Sequence, residues 1–148
     1  MNIFLIIFLL LLDQGMKFAT VKYLSKLGTI PVITDFFHLT YVENRGAAFG
    51  MLQNQRWIFV VITLVVIGFM ILYSYNHPRM SFGIKFSMNL IAAGAVGNLI
   101  DRLFRGFVVD MFDFRGIWPF VFNFADICVV VGGMLIMVVI LFDKKAFR

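Results

Sequence analysis

The sequence predicts an all-α polytopic membrane protein: four transmembrane helices and a small extracytoplasmic β element, in one domain over residues 1–148. Its 148 residues are 61% hydrophobic and only 14% charged, whereas soluble domains carry about 25% charged residues. The mean hydropathy is +0.94. Four long apolar segments account for most of the chain, and the length suits a single domain.

The first apolar segment is purely apolar only over residues 3–12, about half of the roughly 20 residues that a spanning helix needs. Extending it to residue 24 supplies the length but includes Asp13 and Lys17. These two residues are spaced i, i+4 with the acid first, which predicts a structural ion pair. A signal peptide is the alternative, but no basic residue precedes the apolar run and no small-x-small cleavage site follows it.

The remaining spans are predicted at about 57–73, 86–103 and 123–142. The second is uniformly apolar. The third is interrupted by Asn89, Asn98 and Asp101. Gly94 and Gly97 on this span allow another helix to approach closely.

Basic residues predict the topology. Four spans place both termini on one side, and short basic segments face the cytoplasm. The 74–85 turn carries Arg79 and Lys85, and the tail carries Lys144, Lys145 and Arg148. Residues 25–56 and 104–122 are then outside. The net charge of +5 fits membrane topology and anionic lipid, so no nucleic-acid partner is expected.

The first outer loop predicts a β element at about 28–42. Residues 37, 39 and 41 are large and apolar or aromatic and alternate with residues 38, 40 and 42, which is the period of a strand. Thr34 and Asp35 suit a turn. The segment that follows, about 43–51, is rich in glycine and is expected to be a surface loop or short helix.

The residues that could carry nucleophilic or zinc chemistry do not form a recognisable pattern. His38 and His77 are the only histidines, and neither is placed to serve a Ser or Cys nucleophile. Cys128 is expected to pack as a small hydrophobe. Zinc motifs are absent, and no metal site is expected.

Two aspartates, Asp110 and Asp126, are the candidate catalytic residues. An ionised carboxylate at membrane depth costs about 2.5–3.5 kcal/mol, so such groups are functional candidates. Two carboxylates that share a site do not both ionise easily, and one retains a proton. Such a pair can activate a water molecule for attack on a peptide carbonyl. Both residues are expected near the outer interface.

Structural roles are the alternatives for the polar residues nearby. Asn123 is suited to cap the fourth helix, and Asp126 to interact with its dipole. Asp101 and Arg102 suit interfacial anchors. Arg102, which shares a helix face with Asn98, is otherwise expected to hold Asp101 or a substrate phosphate or carbonyl. Asp113 is expected in a solvated turn.

Two other functions fit parts of the sequence. A magnesium-dependent lipid phosphotransferase would use Asp110 and Asp113, but the longer run of spaced aspartates expected there is absent. A proton-coupled transporter or channel subunit would use membrane carboxylates as a relay. Its polar residues would spread through the midplane, whereas here they collect at the ends of the third and fourth spans.

The order of the motifs resembles that of the bacterial lipoprotein signal peptidases, the signal peptidase II family of membrane aspartic peptidases. The resemblance covers nearly the whole chain. It rests on four blocks: Leu12-Asp13-Gln14 with Lys17; Asn44-Arg45-Gly46-Ala47-Ala48-Phe49; Gly94 through Arg102 leading to Gly106 and Asp110; and Phe122-Asn123-Phe124-Ala125-Asp126.

The resemblance implies site roles, and the sequence shows no departure at the matched catalytic positions. Asp110 and Asp126 are the implied catalytic residues. The implied substrate contacts are Asn44, Gly46, Asn98, Arg102 and Asn123. The implied supporting residues are Asp13, Lys17 and Asp101.

The resemblance also implies the reaction: removal of the signal peptide from a diacylglyceryl-modified prolipoprotein, just before the lipidated cysteine. The enzyme would be a monomer in the bacterial cytoplasmic membrane, with both termini cytoplasmic and the active site near the outer face. Membrane lipid and cyclic peptide inhibitors of the globomycin type are implied partners. No metal or organic cofactor is implied.

Overall fold

The computed structural model describes residues 1–46 and 53–143. Within these residues lie four long helices and three strands. In chain order they are α1 (Ile3–Leu24), β1 (Thr29–Ile33), β2 (Phe37–Asn44), α2 (Arg56–Asn76), α3 (Phe82–Phe104), β3 (Val108–Phe114) and α4 (Phe124–Phe142).

All four helices in the described part of the chain are long and apolar enough to cross a membrane, which confirms the predicted fold class. The first helix runs through to Leu24, as its length required. Asp13 and Lys17 lie inside it and are almost completely buried. Their side chains form the predicted ion pair, with 3.0 Å between Lys17 Nζ and Asp13 Oδ2.

Helix α3 lies at the centre and packs against the other three helices. Its glycines make this close packing possible. A Cβ atom on Gly94 would overlap the carbonyl oxygen of Ala125 in α4 and would lie 2.8 Å from Val129 Cγ2. A Cβ atom on Gly97 would lie 2.5 Å from Asp13 Oδ2 in α1. The absence of side chains there brings α1, α3 and α4 together at the level of Asp126.

The three strands form an antiparallel sheet in the order β1-β2-β3. The predicted turn joins β1 to β2, and Asp35 adopts a positive φ of 60°. The third strand was not predicted from sequence. It comes from the other outer loop, and its first four residues are buried, so it lacks the alternation that marks a half-exposed strand.

The sheet determines where the chain enters the fourth helix. Phe122 forms an isolated antiparallel bridge with Phe112 of β3, and the two residues exchange backbone hydrogen bonds of 2.8 and 3.1 Å. Asn123, the N-cap of α4, therefore follows directly beside β3.

Two expectations fall partly or wholly outside the described residues. Residues 43 and 44 of the expected surface segment belong to β2, and residues 47–51 are not described. The basic residues of the tail, Lys144, Lys145 and Arg148, also lie outside the described ranges.

Candidate active site

Asp110 and Asp126 meet at Asn123. Asp110 is a residue of β3 with 2% of its surface exposed, and Asp126 lies in the first turn of α4. The side-chain amide of Asn123 donates to Asp110 Oδ1 at 2.6 Å. Its backbone N–H donates to Asp126 Oδ2 at 3.1 Å. One residue thus contacts both carboxylates.

Asn123 is also the helix cap that the sequence suggested. Its Oδ1 accepts the backbone N–H of Asp126 at 3.0 Å, which completes a capping box. Because that oxygen is occupied by a donor, the Nδ2 of Asn123 is the atom left to face Asp110. The capping role and the contact with the aspartates therefore occur together and are not alternatives.

Asn44 contacts Asp110 from the neighbouring strand. It is the last residue of β2, and its Nδ2 donates to Asp110 Oδ2 at 3.0 Å. Its Oδ1 accepts the backbone N–H of Gly46 at 3.1 Å. The two oxygens of Asp110 therefore each accept one amide N–H, from Asn44 and from Asn123.

Helix α3 contributes Asn98 and Arg102 to the site. Asn98 Nδ2 donates to Asp126 Oδ1 at 2.8 Å. The Arg102 guanidinium lies 4.8 Å from the ring centroid of Phe59. It makes long contacts of 3.5 Å with the carbonyl oxygens of Asn98 and Gly46. In this orientation the guanidinium of Arg102 lies beside the site.

Asp101 is not an interfacial anchor, so that expectation is wrong, and its ion pairs within the described residues are formed with side chains other than Arg102. Its side chain is completely buried. It binds Lys17 Nζ at 2.9 Å and Arg105 Nη1 at 3.4 Å. A buried carboxylate needs such partners because its desolvation is costly.

Asp113 lies in β3 and not in a solvated turn. It accepts hydrogen bonds from Thr40 Oγ1 at 2.8 Å and from Arg115 Nε at 3.1 Å. Because successive side chains of a strand point to opposite faces, Asp110 and Asp113 face opposite sides of the sheet. The structure therefore does not bring together the aspartates that a phosphotransferase would use.

Burial and charge act together on Asp110. Burial and the nearby charge of Asp126 raise its pKa from 3.8 to about 7, although the amides of Asn123 and Asn44 oppose the rise. A carboxyl with a pKa near neutrality can carry a proton at working pH and still give it up.

An apolar cavity of about 300 Å³ adjoins Asp126. Asn98, Arg102 and Asp126 supply its polar wall, and side chains of α2, α3 and α4 supply the rest: Ile62, Thr63, Val66, Ile91, Ala95, Val129 and Val130. A second, wholly apolar cavity of about 350 Å³ shares Val66 and Ile91 with it. The site is thus open to an apolar chain lying between the helices.

Some contacts at the site were not foreseen from sequence. The backbone N–H of Ala125 donates to Asp13 Oδ1 at 2.9 Å, and that of Val109 donates to Asp101 Oδ2 at 3.1 Å. Gln14 Nε2 donates to Asp13 Oδ2 at 3.0 Å. The only sequence signal was that these residues lie next to residues already singled out.

The residues excluded on chemical grounds lie away from the aspartates or are packed. Cys128 is buried, as expected. His38 is buried, and its ring nitrogens have no hydrogen-bond partner among the described residues. No group of three or more His, Cys, Asp or Glu residues within 1–46 and 53–143 is arranged to hold a metal ion.

Comparisons with known proteins show the family to which this chain belongs. A family model described as Signal peptidase (SPase) II matches residues 5–142. Proteins named lipoprotein signal peptidase from Clostridioides difficile and Fusobacterium nucleatum are 50% and 48% identical to this chain. The alignments cover 99% and 97% of this chain and 98% and 88% of those proteins.

A solved structure described as a bacterial membrane enzyme has the same fold, with a TM-score of 0.88 and 28% sequence identity. The superposition covers 99% of this chain and 90% of the solved chain. With four membrane-length helices, a family match over almost the whole sequence and relatives at about half identity, this chain belongs to the signal peptidase II family of membrane proteases.

Proposed function

We propose that this protein removes the signal peptide from diacylglyceryl-modified prolipoproteins, cleaving just before the lipidated cysteine with a water molecule activated between Asp110 and Asp126. The observation that carries the proposal is the double contact of Asn123, which holds both carboxylates at one site. The names of the relatives point to the same substrate class.

The chemistry requires one proton on the pair. As the water oxygen bonds to the scissile carbonyl carbon, the ionised carboxylate takes a proton from the water, and the protonated carboxyl supplies one to the reacting group. The C–N bond then breaks, and the amine of the cysteine leaves with a proton. The pair titrates as a unit, and the raised pKa of Asp110 suits it to this sharing.

The surroundings suit a lipid-modified peptide. The cavity beside Asp126 is apolar apart from its wall of Asn98 and Arg102, which can bind a peptide carbonyl. Acyl chains and the apolar signal sequence would lie against the helices, where burial of each CH₂ group contributes about 0.8 kcal/mol. Cyclic peptides of the globomycin type would compete for this site.

The proposed location follows from the basic loops and the site. The protein spans the bacterial cytoplasmic membrane as a monomeric single domain, with both termini in the cytoplasm. The sheet and the aspartates lie at the outer face, where water reaches the scissile bond. Catalysis uses no metal or organic cofactor, since two carboxylates suffice for acid–base hydrolysis.

Gel-shift cleavage of a diacylglyceryl-modified prolipoprotein in membranes tests the proposal. We expect Asp110→Asn and Asp126→Asn each to lower the rate by at least about 1,000-fold, because each removes a proton-transfer group. Asp113→Asn is the matched control, since Asp113 belongs to the same strand as Asp110 but binds Thr40 and Arg115. EDTA should leave the wild-type rate unchanged.

Mass spectrometry of the product locates the cleavage, which should fall immediately before the lipidated cysteine. Near-normal cleavage by either folded asparagine variant would contradict the assignment of the pair. Loss of cleavage in EDTA, restored by a divalent cation, would contradict the metal-independent mechanism.

A further inference from the structure

A buried ammonium group is connected to the catalytic pair through one intervening side chain. Lys17 is completely buried, and its Nζ has three hydrogens to donate. It has three acceptors: Asp13 Oδ2 at 3.0 Å, Asp101 Oδ2 at 2.9 Å and Asn98 Oδ1 at 2.9 Å. Every hydrogen of the ammonium therefore has a partner.

The third contact fixes the orientation of an amide. An ammonium group can only donate, so Asn98 must present Oδ1 to Lys17 and keep Nδ2 on its other side. That Nδ2 donates to Asp126 Oδ1 at 2.8 Å. A donated N–H stabilises the ionised form of a carboxylate more than its protonated form. Lys17 thereby orients one donor that stabilises the ionised form of Asp126.

The two aspartates differ in the groups that stabilise their negative charge. Asp126 lies at the N-terminal turn of α4, where the helix dipole stabilises negative charge, and its amide partner is oriented by Lys17. Asp110 lies in a strand, and its partners Asn44 and Asn123 are oriented by backbone N–H groups. Burial also raises the pKa of Asp110 to about 7. The dipole of α4 and the amide oriented by Lys17 therefore favour an ionised Asp126 beside a protonated Asp110.

We propose that Lys17 is a positioning residue that holds Asp126 ionised through the amide of Asn98, so that Asp126 is the base of the pair and Asp110 carries the proton. This rests on the proposed function. Asp126 takes a proton from the attacking water while Asp110 protonates the carbonyl oxygen. The resulting diol collapses: Asp126 passes its proton to the leaving nitrogen as the C–N bond breaks, and one hydroxyl returns a proton to Asp110.

The same buried cluster also binds the backbone directly before each of the two aspartates. Asp13 accepts the N–H of Ala125 and Asp101 accepts that of Val109, the residues that precede the two aspartates. Other charges also act on Asp126, from three elements. They are Asp13 and Lys17 of α1, Arg102 of α3, and Asp110 of β3.

The acidic limb of the pH profile of kcat/KM tests the role of Lys17, because that limb reports the free enzyme's base. We expect Lys17→Met to move the limb upward by about one pH unit. Asn98→Leu should move it in the same direction, and adding Lys17→Met to Asn98→Leu should move it no further. Thr20→Val is the control: Thr20 is buried on the same helix, and its hydroxyl donates to Met111 Sδ at 3.4 Å.

A purely structural role would lower the rate equally at every pH and leave the limb in place, and that result would overturn the proposal. If Lys17→Met does not fold, Lys17→Met/Asp101→Asn removes one charge of each sign and takes its place. If neither folds, the profile of Asn98→Leu decides: an unmoved limb overturns the proposal and a raised limb supports it.

The asparagine variants separate this inference from the function beneath it. If Asp110→Asn or Asp126→Asn keeps near-normal activity, the proposed function fails. If both are inactive and the acidic limb does not move in the variants of Lys17 and Asn98, only the assignment of the base fails.

Discussion

A methyl group at Gly94 should displace Asp126 without touching it. In Gly94→Ala the new Cβ would overlap the carbonyl oxygen of Ala125 and would lie 3.2 Å from its carbonyl carbon. The obstacle is the backbone of α4 and not a flexible side chain, so α3 and α4 must separate at the residue that precedes Asp126.

The expected size of the effect follows from this contact. Overpacking of this kind costs about 1–3 kcal/mol, and each kcal/mol lowers Tm by about 2–4 °C in a chain of this size. A shift of about 1 Å in a catalytic group lowers activity by about 100-fold. We therefore expect both a lower Tm and a disproportionate loss of cleavage in Gly94→Ala.

Gly133→Ala is the matched control. Gly133 also lies in α4, but a Cβ atom there meets nothing within 4 Å, and alanine is the better helix former by up to about 1 kcal/mol. Thermal unfolding in detergent and cleavage per folded protein are measured for both variants. Full activity in Gly94→Ala would show that the position of Asp126 does not depend on the close approach of α3 and α4.

Two further predictions concern the pair itself. Asn123→Ala removes the helix cap, which contributes about 1 kcal/mol, and it also removes the amide that donates to Asp110. We expect it to lower the cleavage rate by about 10–100-fold. A rate within twofold of wild type would contradict this. The second concerns pH: because the pKa of Asp110 rises from 3.8 to about 7 on folding, the folded protein binds this proton more tightly than the unfolded chain does. The free energy of unfolding should therefore fall as pH rises between those values. In Asp110→Asn, the fall in Tm that comes from this proton should be absent. An identical dependence of Tm on pH in variant and wild type would refute the raised pKa of Asp110.

Local spacing was enough to predict the helices and one ion pair. Length and hydropathy required α1 to continue past Asp13, and the i, i+4 spacing paired that residue with Lys17. Tertiary structure was needed to find the third member, because Asp101 reaches Lys17 from α3, more than eighty positions along the chain. Nothing local to Asp101 distinguishes a buried partner from an interfacial anchor.

The third strand shows a different limit. The segment Val108–Phe114 carries two aspartates among buried apolar residues, so its hydrophobicity does not alternate as in a half-exposed strand. The sequence analysis therefore predicted an outer segment without a strand and placed Asp113 in a solvated turn. The strand forms because β2 and Phe122 supply its pairing partners, and this pairing brings Asp110 beside Asn44 and Asn123.

The fate of the oxygen atom from water tests the central claim most directly, because asparagine variants do not distinguish a base from a nucleophile. A single turnover is run in water enriched in oxygen-18, and the products and the enzyme are analysed by mass spectrometry. We predict that the label appears in the new carboxyl group of the released signal peptide and in neither Asp110 nor Asp126. Label in either aspartate would reveal a covalent acyl-enzyme and contradict a water activated between the two carboxylates.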